Sequence, residues 1–131
     1  NASALTSTLI EEGRVMMQYR DGWSKDYCKA KGFEVLVDCI PAFAMNLGNC
    51  NSDFFKSVSD NYDIFVPFSF DGENWTVSIY SRVVDVGDIA KRCGGGGHKC
   101  AAGFTSKEFP FIKVSDDKKE FNPYEWRLRI N

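Results

Sequence analysis

Ten residues, Gly94-Gly95-Gly96-Gly97-His98-Lys99-Cys100-Ala101-Ala102-Gly103, constrain what this chain can fold into more than any other stretch. Four consecutive glycines carry no Cβ, so they tolerate positive φ and close backbone approach, but ordering them costs conformational entropy. Such a run is either a flexible tether or a turn held by regular structure on both sides. The flanks decide between these. Upstream, Asp85 to Cys93 reads as a short helix, with Asp85 at the N-cap, Asp88 at the third position of a capping box, and Lys91 and Arg92 in the last turn where the dipole favours cations. Gly94 is its natural stop. Downstream, Ala101 to Thr105 reads as an apolar strand. The glycines therefore join two regular elements, which predicts an ordered turn. Its N–H groups can then converge into an anion-binding concavity with His98, the only histidine of the chain, and Lys99 at the edge.

The preceding strand is organised by alternation. Trp75, Val77 and Ile79 alternate with Thr76, Ser78 and Tyr80, so one face is apolar and the other carries hydroxyls, with Arg82 on the polar face by the same parity. Tyr62 to Phe70 reads as its hairpin partner across the turn Asp71-Gly72-Glu73-Asn74. Further upstream, Ser3 suits an N-cap, and Leu5, Leu9, Met16, Trp23 and Tyr27 recur at helical spacing. This predicts a helix from about Ala4 to Lys31, bent at Asp21-Gly22, closed by Gly32 and packed on the core through that stripe. Phe33 to Ile40 reads as a strand that Pro41 ends or places at an edge, and Ala42 to Leu47 as a second short strand. Asn51 or Ser52 caps a short helix through Phe54, Phe55 and Val58. In the tail, Asp116-Asp117-Lys118-Lys119-Glu120 reads as a solvated run, and Trp126 to Ile130 as an edge strand with Arg127 and Arg129 on one face. No internal repeat or domain boundary is visible, so residues 1–131 are read as one domain. The element pattern predicts an α/β fold, a mixed and largely antiparallel sheet of about five strands flanked by α-helices.

Composition narrows the function classes. With 44% apolar and 26% charged residues over 131 positions, the chain has the make-up of a soluble globular domain. A formal net charge of −2 gives no global field to gather nucleic acid, so a phosphate site has to be local. No apolar run is long enough for a bilayer and no signal segment opens the chain, which predicts a cytoplasmic protein without a membrane partner. The five cysteines, Cys28, Cys39, Cys50, Cys93 and Cys100, are odd in number and contain no C-x-x-C pair, which argues for reduced thiols. Cys93, His98 and Cys100 are three candidate metal ligands where zinc normally takes four, and the expectation is no metal.

No residue set for standalone catalysis is present: there is one histidine, no H-x-x-x-H and no D-H-H triplet, and Asp85 and Asp88 are better explained as helix-start residues. Binding fits better. His98 can donate to a phosphate oxygen and Lys99 adds a point charge. Arg82, Lys91 and Arg92 are near enough in sequence to contribute, although each by itself reads more readily as solvated surface.

The motif GGGGHKCAAG behind the helix DVGDIAKRC and the strand WTVSIYS resembles the signature of the DHH-associated C-terminal (DHHA1-type) domain, the smaller lobe of DHH-family phosphoesterases such as RecJ-type exonucleases, NrnA-like oligoribonucleases and cyclic dinucleotide phosphodiesterases. A similar domain ends alanyl-tRNA synthetase. The resemblance is specific over about Tyr62 to Phe104. It implies that this chain is the substrate-binding lobe of a phosphoesterase, and that catalysis belongs to an N-terminal DHH lobe holding two Mn(2+) ions, a cofactor for which this chain has no ligands. It further implies that Gly95, Gly96, Gly97 and His98, with Gly94 and Lys99 beside them, meet the phosphate of a nucleotide or short oligonucleotide. Where family members carry arginine in S-x-R-S, this chain has Ser78-Ile79-Tyr80-Ser81. Tyr80 offers a ring or a hydroxyl instead, and Arg82 a cation nearby. Two other roles stay open: a non-hydrolytic nucleic-acid module, as in the synthetase, and a homodimerisation domain.

Overall fold

Apart from one two-glycine strand, runs of three to seven residues rich in β-branched and aromatic side chains build the sheet. The computed structural model describes residues 2–114 and 124–130. In chain order its strands are β1 (Phe33–Val37), β2 (Ile40–Asn46), β3 (Ile64–Phe70), β4 (Trp75–Ser81), β5 (Gly96–Gly97), β6 (Ala101–Ser106), β7 (Phe111–Lys113) and β8 (Trp126–Leu128). They form one mixed sheet in the order β5-β6-β4-β3-β2-β1-β8-β7. The β2–β3 and β1–β8 neighbours are parallel and the other pairs antiparallel.

Strands β2 and β3 lie mid-sheet and are buried on both faces, which is why IPAFAM and IFVPF read as nearly unbroken apolar runs. On one face Val35, Ala44, Val66, Val77 and Ile79 pack under helix α2 (Val86–Arg92), which contributes Val86, Ile89 and Ala90. On the other, Phe43 and Met45 pack with Phe55 of the 3-10 helix Ser52–Val58 and Cys28 of helix α1 (Ala2–Lys31). Phe55 is fully buried, an anchor contributing on the order of 1.5–3 kcal/mol.

The α/β class and the mixed, largely antiparallel sheet hold, with eight strands among the described residues in place of about five. The two-residue strand β5 and the three-residue β7 are too short to show a period. Strand β8 lies between β1 and β7, so it is not an edge. Pro41 does not end a strand: the chain turns at Asp38 and Cys39, both with positive φ, and Pro41 pairs with Leu36 inside the β1–β2 hairpin. Helix α1 begins by Ala2, which places Ser3 within it, and runs unbroken through Asp21-Gly22. Its apolar stripe is not core along most of its length. Leu5, Leu9, Met16 and Trp23 are exposed, and only Ser24 and Cys28 are buried. The charged run Asp116–Glu120 lies outside the described residues.

Candidate functional site

The glycine run is a capped helix end that turns into a hairpin. Gly94 at φ +90 donates its N–H to the Lys91 carbonyl at 3.1 Å, and Gly95 donates to Ala90 at 2.8 Å, the paired bonds of a Schellman cap. Gly95 lies so close to β6 that a Cβ there would stand 2.1 Å from the Gly103 carbonyl oxygen. Gly96 and Gly97 then pair with Gly103 and Ala102 as β5. The hairpin closes with reciprocal bonds between His98 and Ala101, leaving Lys99 and Cys100 at its tip. Two further bonds fix that tip. Val86 N–H donates to the Lys99 carbonyl at 3.0 Å, and Ser81 N–H to the Cys100 carbonyl at 3.1 Å.

This order is reached differently from the expected cradle of converging N–H groups. The N–H groups of Gly94, Gly95 and His98 all point at backbone carbonyls. What the hairpin presents outward is its side chains, His98 and Lys99, both exposed. Arg82 follows Ser81 just beyond the end of β4, in a turn where the Ser81 hydroxyl accepts from Val83 and Val84 N–H, so its position is not set by strand alternation. The Ser81–Cys100 bond leaves Arg82 and Lys99 flanking one point, and Arg82 is exposed with no ion pair among the described residues.

Register extends the site across the sheet. Tyr80 opposes Ala101, which opposes His98, so these three share a face; Ser78, Gly103 and Gly96 form the next row, and Thr76 and Thr105 the one after. The floor beside His98 is thus made of residues with little or no side chain. Tyr80 is half-buried and its hydroxyl donates to the Cys50 carbonyl at 3.3 Å, tying β4 to the loop after β2. That loop and the hydroxyl face enclose a cavity of about 290 Å³ lined by Gly48, Asn49, Ser69, Thr76 and Ser78 among others. The cavity was not legible in the sequence, because its two walls are some thirty residues apart and nothing local pairs them.

Of the other cations, Arg92 is committed elsewhere: its guanidinium meets Asp38 at 2.7 Å and Asp88 at 3.3 Å. The hydrogen bond from Arg92, with its charge, holds the Asp38 carboxyl below the usual carboxylate value. Asp85 accepts from Asp88 N–H as an N-cap, while the Asp88 carboxylate turns to Arg92, so only half of the expected capping box forms.

The DHHA1 domain family matches residues 53–122, more than half of the chain. The chain belongs to that family. Its fold is similar to two solved structures. An uncharacterized protein from Helicobacter pylori G27 matches with a TM-score of 0.50 at 22% identity, over 67% of this chain and 25% of that one. PggH from Vibrio cholerae, a pGpG-specific phosphodiesterase, matches with a TM-score of 0.50 at 12% identity, over 79% of this chain and 36% of that one. This DHHA1 chain therefore spans well under half the length of either. A comparison with curated proteins finds no match.

Among the described residues of this DHHA1 domain, no three His, Cys, Asp or Glu side chains gather closely enough to hold a metal ion. The Cys93 thiol points instead at the Arg129 carbonyl, 3.6 Å away, and burial raises its pKa. The two Mn(2+) ions that the family resemblance implies have no donor set among the described residues. No helix among the described residues is long and apolar enough to cross a membrane.

Proposed function

We propose that this DHHA1 domain is the substrate-binding lobe of a DHH-family phosphoesterase, holding the phosphate of a nucleotide or short oligonucleotide at the tip formed by Gly94 to Lys99. The observation that carries this reading is the joint exposure of His98, Lys99 and Arg82 around a hairpin whose backbone is fixed at four points. Exposed cations and a donor imidazole carried on a fixed backbone suit an anion. Gly96 and Gly103 keep that surface free of side chains, and Tyr80 stands in the His98 row where it can meet the sugar or base.

Binding and bond-breaking are then divided between lobes. An N-terminal DHH domain of the same parent chain supplies the two Mn(2+) ions, which polarise the phosphoester, while this domain fixes the substrate's position. The apolar side of α1, exposed from Leu5 to Met17, supports contact with such a second body. The test is calorimetric titration of wild type and His98→Ala with nucleoside monophosphates and dinucleotides. A loss of at least tenfold in affinity is expected, from one charge-assisted hydrogen bond. Equal affinities would remove the assignment. A manganese-dependent hydrolysis assay on this chain alone is expected to show no turnover.

A further inference from the structure

The cavity beside the hydroxyl face of β4 is built for a different part of a ligand than the hairpin. Its floor comes from β3 and β4, including Pro67, Ser69, Thr76 and Ser78, and its outer wall from the loop Leu47 to Cys50. Among the described residues no charged side chain lines it. The Ser69, Thr76 and Ser78 hydroxyls have no hydrogen-bond partner among the described residues. A hydroxyl both donates and accepts, so three of them lining one floor with Pro67 suit a flat, neutral, hydrogen-bonding group and not an anion. The volume of about 290 Å³ is at the small end for ligand sites, enough for one ring system and its sugar.

Position supports the same reading. Ser78 lies in the row next to that of His98, two strands away, and strands stand roughly 5 Å apart, so the cavity opens about 10 Å from the hairpin. The floor between them is Gly96, Ala101 and Gly103, over which a ligand can lie flat. The wall is held in place. Tyr80 donates to the Cys50 carbonyl, and the Cys50 thiol faces the Leu47 carbonyl at 3.8 Å.

We propose that this cavity takes the base and sugar of the nucleotide whose phosphate lies at His98, and that Tyr80 is a positioning residue that keeps the Leu47–Cys50 loop in place as its wall. This rests on the phosphate reading above, and the test separates the two. Binding of guanosine and adenosine monophosphates and of ribose 5-phosphate is measured calorimetrically for wild type, Ser78→Leu, Thr76→Val, Tyr80→Phe and His98→Ala. Wild type is expected to bind the better nucleotide about tenfold more tightly than ribose 5-phosphate, the yield of one or two neutral hydrogen bonds. Ser78→Leu fills the cavity and abolishes that margin, bringing nucleotide affinity down to that of ribose 5-phosphate. Thr76→Val, at an exposed position that does not endanger the fold, narrows the margin about threefold, as does Tyr80→Phe. His98→Ala weakens all three ligands alike. Equal wild-type affinities for nucleotide and ribose 5-phosphate, or a margin that survives Ser78→Leu, would overturn the cavity assignment. A margin that depends on Ser78 combined with no effect of His98→Ala would overturn the phosphate site and leave the cavity standing. Failure of every ligand to bind would overturn both.

Discussion

The Tyr80 hydroxyl reaches the Cys50 carbonyl at 3.3 Å across thirty residues of chain. A side chain in the same row as His98 therefore braces the loop that follows β2, and the polar face of β4 is coupled to the far wall of its cavity. An arginine at this position, as in S-x-R-S, has no such neutral ring to lay against the loop and would carry its charge outward.

Replacing Tyr80 with phenylalanine keeps the ring and removes one half-buried donor. The expected loss of stability is about 1 kcal/mol, the net worth of a typical hydrogen bond. Amide hydrogen exchange is the sharper measurement. Protection should fall at Gly48 to Asn51 and stay unchanged along β4 and β6, whose ladder does not involve the hydroxyl.

The four glycines should respond very differently to alanine. Gly97 has φ +145, and a Cβ there would lie 2.5 Å from the Ala102 Cα, so Gly97→Ala combines strain with overlap and should cost at least about 2 kcal/mol. Gly95→Ala meets the Gly103 carbonyl and should be comparably damaging. Gly94→Ala has open space but a left-handed φ, for a loss of about 1 kcal/mol. At Gly96 neither obstacle exists, and alanine should be nearly neutral for folding. Denaturant titration of the four variants checks the order. A Gly96→Ala variant that folds normally but loses ligand would show that its bare backbone serves binding.

Much of this was legible because the relevant signals are local. The Asp85 cap, the Gly94 stop, the Asp71–Asn74 turn and the alternation of β4 each rest on neighbours within a few residues, and each is present. What failed depended on distant partners. The stripe on α1 has helical spacing whether or not anything covers it, and the sequence contains no sign that the sheet ends before reaching Met16. The turn at Asp38-Cys39 lacks the Asn-Gly chemistry that marks such hairpins, so Phe33 to Ile40 reads as one strand. At the candidate site, His98 and its glycines were visible as a motif, whereas the cavity arises only when the Gly48–Cys50 loop meets Ser69, Thr76 and Ser78.

The Arg92–Asp38 pair ties α2 to the β1–β2 turn and makes stability depend on acid. Arg92 lowers the folded-state pKa of Asp38 below its ordinary 3.8, so the contribution is present above 3.8 and disappears as the pH falls through the lower folded value. Both groups are substantially exposed, so the effect is under about 1 kcal/mol. Asp38→Asn retains a residue that tolerates the positive φ. It should melt a few degrees below wild type at neutral pH, and the difference should close below pH 3.8.

Tyr62 sets the alkaline limb. Burial first, and the hydrogen bond it donates to Glu34 second, push its phenol from 10.0 to about 12. The neutral form is therefore favoured by folding: its contribution is complete below 10 and is lost as the pH rises through 12. Ultraviolet titration should reveal one tyrosine ionising late, and Tyr62→Phe should remove that step.

Helix α1 tests how much order a helix keeps without a partner. From Leu5 to about Tyr19 its hydrogen bonds among the described residues are its own, whereas Ser24 is buried and Cys28 packs against the 3-10 helix and β2. In proteins most helical stability comes from packing of an apolar face against other elements. Amide protection should therefore be low through the first five turns and rise steeply near Ser24. Leu9→Gln and Met16→Gln, at 58% and 71% exposure, should change stability by less than about 0.5 kcal/mol, whereas Phe55→Ala, at the fully buried end of the same packing, should cost about 3–5 kcal/mol. If the first five turns prove strongly protected at high protein concentration and lose that protection on dilution, a second copy of this chain covers them. If protection appears only when a DHH lobe precedes Ala2, the apolar side of α1 is the seam between two lobes of one enzyme.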